Sequence, residues 1–367
     1  SNYERLSFKV YEKLPHGEYI LEIQGRNQYN QESEVYQFTF VVLPPWYLSW
    51  WAYVLYFLAL IIVLSVTTRV SIYRIKQKNK RLEEIVHDRT KEIANQNTVL
   101  AKQRDEITAK TEDILDSIKY AKRLQNTILP SKELLTTYFD DYFVFYRPKD
   151  IVSGDFYWAR QINGKILWSA IDCTGHGVPG AMVSIVGNNG LLRATNEFQL
   201  VKPNEILDKL RELVLESFKA QGTNDVKDGM DLGLACIDKD KMQLEFSGAN
   251  NSCVIVRNGE LIEIKGDKQP IGDFELAKPF TNQTFHLENG DNIYLFTDGY
   301  VDQFGGENDA SRQNGGKKFK SKHFKQFLID ISHHEMKTQE KLIVEKFDNW
   351  RGEIEAIDDV CVFGVKI

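Results

Sequence analysis

Between Glu34 and Arg69 the chain contains no charged side chain. Inside that gap residues 46–68 read WYLSWWAYVLYFLALIIVLSVTT. A helix of ~20 apolar residues crosses a hydrocarbon layer ~30 Å thick, so this run is long enough to span one. Trp46, Tyr47, Trp50 and Trp51 crowd one end, where amphipathic rings sit at headgroup level. The other end runs into Arg69, Arg74, Lys76, Lys78, Lys80 and Arg81 before the first acid, Glu83. That one-sided excess of bases predicts a single-pass helix with its C-terminal side in the cytoplasm and its N-terminal side outside. The 45 residues ahead of the run have strand character, unlike a signal peptide.

Around this segment the chain is long enough for two or three domains at ~150 residues each. It has 367 residues, with 46 bases against 52 acids and a net charge of −6. Mild acidity excludes the basic face that a nucleic-acid binder presents. The four cysteines, 173, 236, 253 and 361, form no CxxC or other metal spacing and lie inside apolar runs. They are expected to be buried free thiols in a reducing compartment.

Residues 1–45 alternate apolar and polar positions, as in Tyr19–Gln24 and Val35–Val42, with turn residues between. So few short strands do not bury a core alone, and part of a larger β-sandwich is expected. From Ile72 to Leu129 there is neither Gly nor Pro. Val86, Ile93, Leu100, Ile107, Ile114, Ala121 and Ile128 recur every seven residues, the period of a left-handed supercoil. Three positions beyond several of these stand Arg89, Gln96, Gln103, Lys110 and Ser117, so the second seam is polar. A parallel homodimeric coiled coil of marginal stability is expected over 69–129, the alternative being a single helix lying on the next domain. Pro130 ends the helix.

From there to residue 367 short strand patterns alternate with helical windows. Strands are expected at Tyr142–Tyr146, Lys165–Ile171, Leu232–Ile237, Gln243–Phe246, Cys253–Arg257, Asn292–Phe296 and Val360–Val365. Helices are expected at Pro179–Phe198, Pro203–Lys219, Ser321–Ile331 and Thr338–Trp350. Tight turns such as Asn258-Gly259 join several strands, which favours antiparallel sheets with helices outside, an α+β class. Gly305 to Lys318 reads as a polar, Gly-rich loop.

Acids recur in this domain where apolar strands meet turns: Asp155, Asp172, Asp298, and the pair Asp358 and Asp359. Carboxylates gathered at one end of a sheet repel one another unless a cation neutralises them. All-oxygen donors suit Mg²⁺ or Mn²⁺, and no His/Cys cluster is present for zinc. The succession SGDFYW, IDCTGHGVPGAMVS, FSGANNS, LFTDGYVDQFG and DDVCVFGV resembles the metal-dependent, type 2C-like Ser/Thr protein phosphatases, in particular their bacterial SpoIIE-like branch. It implies an α-β-β-α sandwich over 130–367 with two Mn²⁺ or Mg²⁺ ions in a cleft. By matching motif positions it implies that Asp172 bridges both metals and that the Cys173 main-chain carbonyl binds one. Asp298 and Asp358 complete the second-metal site, and Asp155 acts through water on a metal. Asp359 is the weaker candidate, because the resemblance places the metal ligand first in the Asp-Asp pair; strand alternation agrees, since adjacent residues face opposite ways. His176 is a candidate acid for the leaving oxygen, Arg147 a candidate for holding substrate phosphate, and Asp231 a further candidate metal ligand.

Ahead of that domain, Tyr11-x-x-Leu14-Pro15-x-Gly17-x-Tyr19, Asn27 and Pro44-Pro45-Trp46-Tyr47 resemble the Y_Y_Y sensor module of bacterial receptors. The resemblances together imply a receptor of the bacterial inner membrane. Its parts are a sensor portion (1–45), a membrane helix (46–68), a coiled coil (69–129) and a phosphatase (130–367). The implied substrate is phosphoserine or phosphothreonine on a regulatory protein, of the anti-sigma antagonist kind. Two rivals stand beside it. One is a non-catalytic phosphatase-like module that binds a partner. The other is a histidine-kinase-like receptor using His87, against which no ATP-binding motif follows.

Overall fold

The computed structural model describes residues 10–219, 228–306 and 316–367. The chain divides into two compact units, 1–105 and 106–367. In the first, β1 (Gly17–Ile23) and β2 (Tyr36–Val42) pair antiparallel over seven residues, Gly17 opposite Val42 and Ile23 opposite Tyr36. Ile20, Ile23, Phe38 and Val41 of this hairpin remain exposed, as expected when two strands have no layer to pack on. Helix α1 then runs from Trp50 to Ile128 without a break. Its first turns form the one helix among the described residues that is long and apolar enough to cross a membrane. Farther along, Val86, Ile93, Leu100, Ile107 and Ile114 all stay exposed.

The second unit is a four-layer sandwich. After α2 (Lys132–Tyr138) the chain forms β3 (Asp141–Arg147), β4 (Phe156–Ile162) and β5 (Lys165–Cys173). Helices α3 (Gly177–Asn196) and α4 (Pro203–Lys219) follow. Next come β6 (Met230–Asp238), β7 (Gln243–Ala249), β8 (Cys253–Arg257), β9 (Glu260–Ile264), β10 (Gln283–His286) and β11 (Asn292–Phe296). A single turn, α5 (Gly299–Asp302), leads to the short pair β12 (Phe304–Gly305) and β13 (Lys317–Lys318). Most of the loop expected between Gly305 and Lys318 lies outside the described residues. Helices α6 (Ser321–Ile331) and α7 (Met336–Arg351) and strand β14 (Val360–Lys366) complete the chain. One sheet has the order β10-β7-β6-β5-β4 and the other β3-β14-β11-β8-β9, every neighbour antiparallel.

The strand alternation explains the layers. On β5, Ile166, Trp168 and Ala170 point to the opposite sheet, where Ile255, Leu295 and Phe363 meet them. The intervening Leu167 and Ile171 point outward to Leu191 of α3 and Leu207 and Leu210 of α4. The outer face of the second sheet, with Phe143, Tyr294 and Val362, packs on Phe324 and Leu328 of α6 and Ile343 and Phe347 of α7. All four cysteines are buried and free, as their apolar surroundings in the sequence predict. Strands β4, β9 and β10 escape sequence analysis: β4 mixes Arg160 and Gln161 into its run, β9 alternates with two glutamates, and β10 has four residues.

Candidate active site

The strand ends bring the acids together. In the β5–β6 ladder Asp172 lies directly opposite Asp231, so two carboxylates share one edge of the first sheet. From the second sheet, β11 delivers Asp298 and the start of β14 delivers Asp358. Gly299 makes that meeting possible: a Cβ at this position would collide with the Asp359 carbonyl oxygen, so only glycine lets the two loops touch. The result is a cleft of about 420 Å³. Asp172, Cys173, His176, Asp231, Asp298 and Asp358 all line it, together with Asn250 and Asp273. Five carboxylates thus face this space, and none of its lining residues is Lys or Arg.

Asp155 sits beneath the cleft, almost fully buried. Thr297 Oγ1 donates to its Oδ2 at 2.6 Å and itself accepts from the Cys361 amide at 2.9 Å. Asp359 is buried too and faces away from Asp358. Its Oδ1 accepts from the Lys149 amide and its Oδ2 from the Gly154 amide, each at 2.7 Å. Strand alternation anticipates this split of the pair, and Asp359 serves as the anchor of the loop that carries Asp155. Cys173 keeps its side chain in the outer core of the first sheet.

The electrostatics follow from burial of like charges. Asp172 is pushed up to about 8, first by burial and then by Asp298, Asp358 and Asp231. Asp155 is raised well above the usual carboxylate range, by burial and then by Asp172, with the Thr297 hydrogen bond opposing. Asp298 is raised by shielding from water and then by Asp358. Burial raises Asp231, while the Asn250 amide, donating to its Oδ1 at 2.9 Å, opposes.

Among the described residues no three His, Cys, Asp or Glu side chains are already drawn into a ligand cluster; the acids ring the cleft. Their chemistry fits hard divalent cations: the carboxylates offer oxygen donors only, and they carry surplus negative charge.

Two other predicted residues have definite surroundings. His176 stands at the cleft, and its Nδ1 is 2.8 Å from Asp150 Oδ2. Sequence analysis overlooks Asp150, since nothing in Pro148-Lys149-Asp150 marks it as a partner 26 residues away. Arg147 is committed elsewhere. Its guanidinium pairs with both carboxylate oxygens of Asp348 and lies over the rings of Phe145 and Phe347. It ties β3 to α7 and is not among the residues that line the cleft.

The raised carboxyls make a stability prediction. A group whose folded pKa exceeds its unfolded value near 4 stabilises the fold fully only below that value. For Asp172 the contribution is lost as pH rises from about 4 through about 8. In EDTA, the melting temperature of the phosphatase unit should therefore fall between pH 5 and pH 8.5, and excess Mn²⁺ should reverse most of the fall. A melting temperature that is flat or rising across this window in EDTA would contradict the assignment.

Comparison with known proteins agrees with this architecture. Residues 163–367 match the family model described as Stage II sporulation protein E (SpoIIE). The SiaA-PP2C domain of Pseudomonas aeruginosa is 31% identical, with a TM-score of 0.63, and the match covers 71% of this chain and 99% of that one. A structure with the PP2C phosphatase domain and a regulatory fragment of SpoIIE from Bacillus subtilis is 16% identical. That match covers 62% of this chain and 63% of that one, with a TM-score of 0.47. No curated protein matches the chain. With the family model spanning more than half of its residues, and a four-layer sandwich ending in a carboxylate-lined cleft, the chain belongs to the SpoIIE family of PP2C-type serine/threonine protein phosphatases.

Proposed function

We propose that this chain is a membrane-anchored receptor phosphatase that hydrolyses phosphoserine or phosphothreonine on a regulatory protein. The observation that carries the catalytic part is the cleft with five carboxylates and no Lys or Arg in its lining. Such a cleft repels a phosphate dianion by itself, so it needs cations to accept one. Asp172, Asp298, Asp358 and the Cys173 main-chain carbonyl are the groups we assign to two Mn²⁺ or Mg²⁺ ions, with Asp231 beside them and Asp155 acting from beneath. Such ions, when bound, supply a water of lowered pKa and neutralise the charge of the phosphoryl oxygens.

The chain's own residues do the rest. Thr297 fixes the Asp155 carboxylate in one rotamer. Asn250 does the same for Asp231. Asp150 holds His176 by Nδ1, leaving Nε2 as the nitrogen that can hand a proton to the departing serine oxygen. A serine alkoxide is a poor leaving group and gains from that proton; p-nitrophenolate is a good one and does not need it.

Residues 46–68 supply the anchor, with the phosphatase on the cytoplasmic side of a bacterial inner membrane. The apolar run and the bases of 69–81 support this topology. Residues 1–45 serve as part of an extracytoplasmic sensor. The exposed seven-residue spine of α1 supports a parallel homodimer that carries the sensor's state inward. A small protein of the anti-sigma antagonist kind is the substrate class that the family resemblance favours.

Catalysis is tested by hydrolysis of p-nitrophenyl phosphate and a phosphoserine peptide with Mn²⁺, Mg²⁺ or EDTA. Turnover should need the metal. His176→Ala should slow the peptide roughly 100-fold while changing p-nitrophenyl phosphate only a few-fold. Equal losses on both substrates would remove His176 from the acid role, and turnover undiminished in EDTA would remove the metals.

The dimer has a separate test. Since the native thiols are buried, Leu100→Cys should give a disulfide-linked dimer under mild oxidation, and Asp105→Cys, on the far side of the helix, should give much less. Equal yields would count against a seam along this spine.

A further inference from the structure

Residues 316–325 read GKKFKSKHFK, five lysines and a histidine without one acid, in a chain whose acids outnumber its bases. They form β13 and the start of α6. Two of the lysines are paired: Lys318 Nζ lies 2.7 Å from Asp302 Oδ2, and Lys325 Nζ lies 2.8 Å from Glu263 Oε2. Lys317, Lys320 and Lys322 are exposed. Among the described residues, none of these three has an acidic partner.

The strip is fastened beside the cleft. Phe319 is buried and packs on the rings of Tyr300 and Trp350, with centroids 5.4 and 5.1 Å away. Its amide donates to the Gln303 carbonyl oxygen at 3.0 Å, and the Lys320 amide donates to that of Val301 at 2.7 Å. Neighbouring residues of an extended chain point opposite ways, so burying Phe319 turns Lys318 and Lys320 outward. The backbone beneath them is α5, the turn that opens at Asp298 of the cleft. The Asp302 amide donates to the Asp298 carbonyl oxygen at 2.9 Å. Asp302, the partner of Lys318, thus stands one helical turn, about 5.4 Å of rise, from a cleft carboxylate. Lys320 itself has φ 71° and ψ 141°, a conformation that suits glycine and strains any longer side chain. It also holds the N-cap position of α6 without making a capping bond, where Gly, Ser or Asn would serve better. A lysine gains the fold nothing at this point; what it adds is surface charge.

We propose that Lys317, Lys320 and Lys322 form a docking strip for an acidic face of the phosphoprotein substrate. The inference rests on the phosphoprotein reading above and names the surface chemistry of that partner. The cleft gives no long-range attraction of its own, since two divalent ions do not outweigh its five carboxylates. The attraction has to come from beside it. A basic strip next to Asp298 supplies that attraction and raises the rate of encounter with an acidic surface. Its backbone is already fixed by Phe319 and the two amide bonds, so docking orders little that was free. Nucleic acid fits less well: Phe319 and Phe324 are both buried, and the strip offers no ring on which a base could stack.

The test uses the whole chain in detergent with Mn²⁺ and a pair of phosphoserine peptides of equal length. They are alike around the phosphoserine; one carries a distal run of glutamates where the other carries glutamines. At low salt kcat/KM for the glutamate peptide should be about tenfold the higher, and the preference should vanish by ~0.5 M NaCl. Lys317→Gln, Lys320→Gly and Lys322→Gln combined should abolish the preference by raising KM for the glutamate peptide, with turnover of p-nitrophenyl phosphate unchanged. A folded triple variant that keeps the preference, or an unchanged chain that shows none, would overturn the inference. Should the triple variant not fold, Lys322→Gln alone should cut the preference about twofold; no change there would equally overturn it. If the unchanged chain hydrolyses neither peptide, the phosphoprotein reading itself fails and the inference falls with it, a result distinct from equal hydrolysis of both.

Discussion

Mutual repulsion of carboxylates, held at the meeting edges of two sheets, is the constraint around which this phosphatase unit is organised. Asp172 and Asp231 face each other across one ladder, and Asp298 and Asp358 arrive from the other sheet. Burial together with the neighbouring carboxylates raises Asp172 and Asp298 above the ordinary carboxylate range, and burial raises Asp231. Folding brings them close because the apolar interior between the sheets, with Trp168, Phe246, Leu295 and Phe363, fixes where each strand ends. The hydrophobic core and the metal chemistry are thus parts of one arrangement: burial by the first creates the electrostatic demand that the second answers.

Around the acids runs a set of polar anchors, each with a defined partner. Thr297 holds Asp155, Asp359 holds the Gly154 and Lys149 amides, and Asp150 holds His176. The bonds of Thr297 and Asp359 are short and largely shielded from water, where losing one partner strands the other, whereas the Asp150–His176 pair is exposed.

The legible parts of the sequence were those with a local rule. Alternation on β5 and β11, the turn at Asn258-Gly259 and the helix windows on α4 and α6 follow from short-range periodicity. The acids Asp172, Asp298 and Asp358 were legible because each closes or opens an apolar strand beside a turn. Less legible were contacts between residues far apart in sequence. Thr297 reaches Asp155 across 142 positions and Asp359 reaches Gly154 across 205. The pairing of Arg147 was hidden for the same reason, since its partner Asp348 is 201 positions away. Asp273 enters the cleft lining from a loop with no pattern of its own. A charged residue next to a motif does not reveal whether it faces the cleft or a distant helix.

The most direct measurement is the number of Mn²⁺ ions bound per chain at pH 8, by equilibrium dialysis and metal analysis, for the unchanged protein and for Asp172→Asn. A carboxylate placed between two ions should be needed by both. The account predicts about two ions for the unchanged chain, the number that goes with a two-metal site, and loss of both in the variant at the same free Mn²⁺. Two ions retained by a folded Asp172→Asn chain, or none bound by the unchanged one, would contradict it.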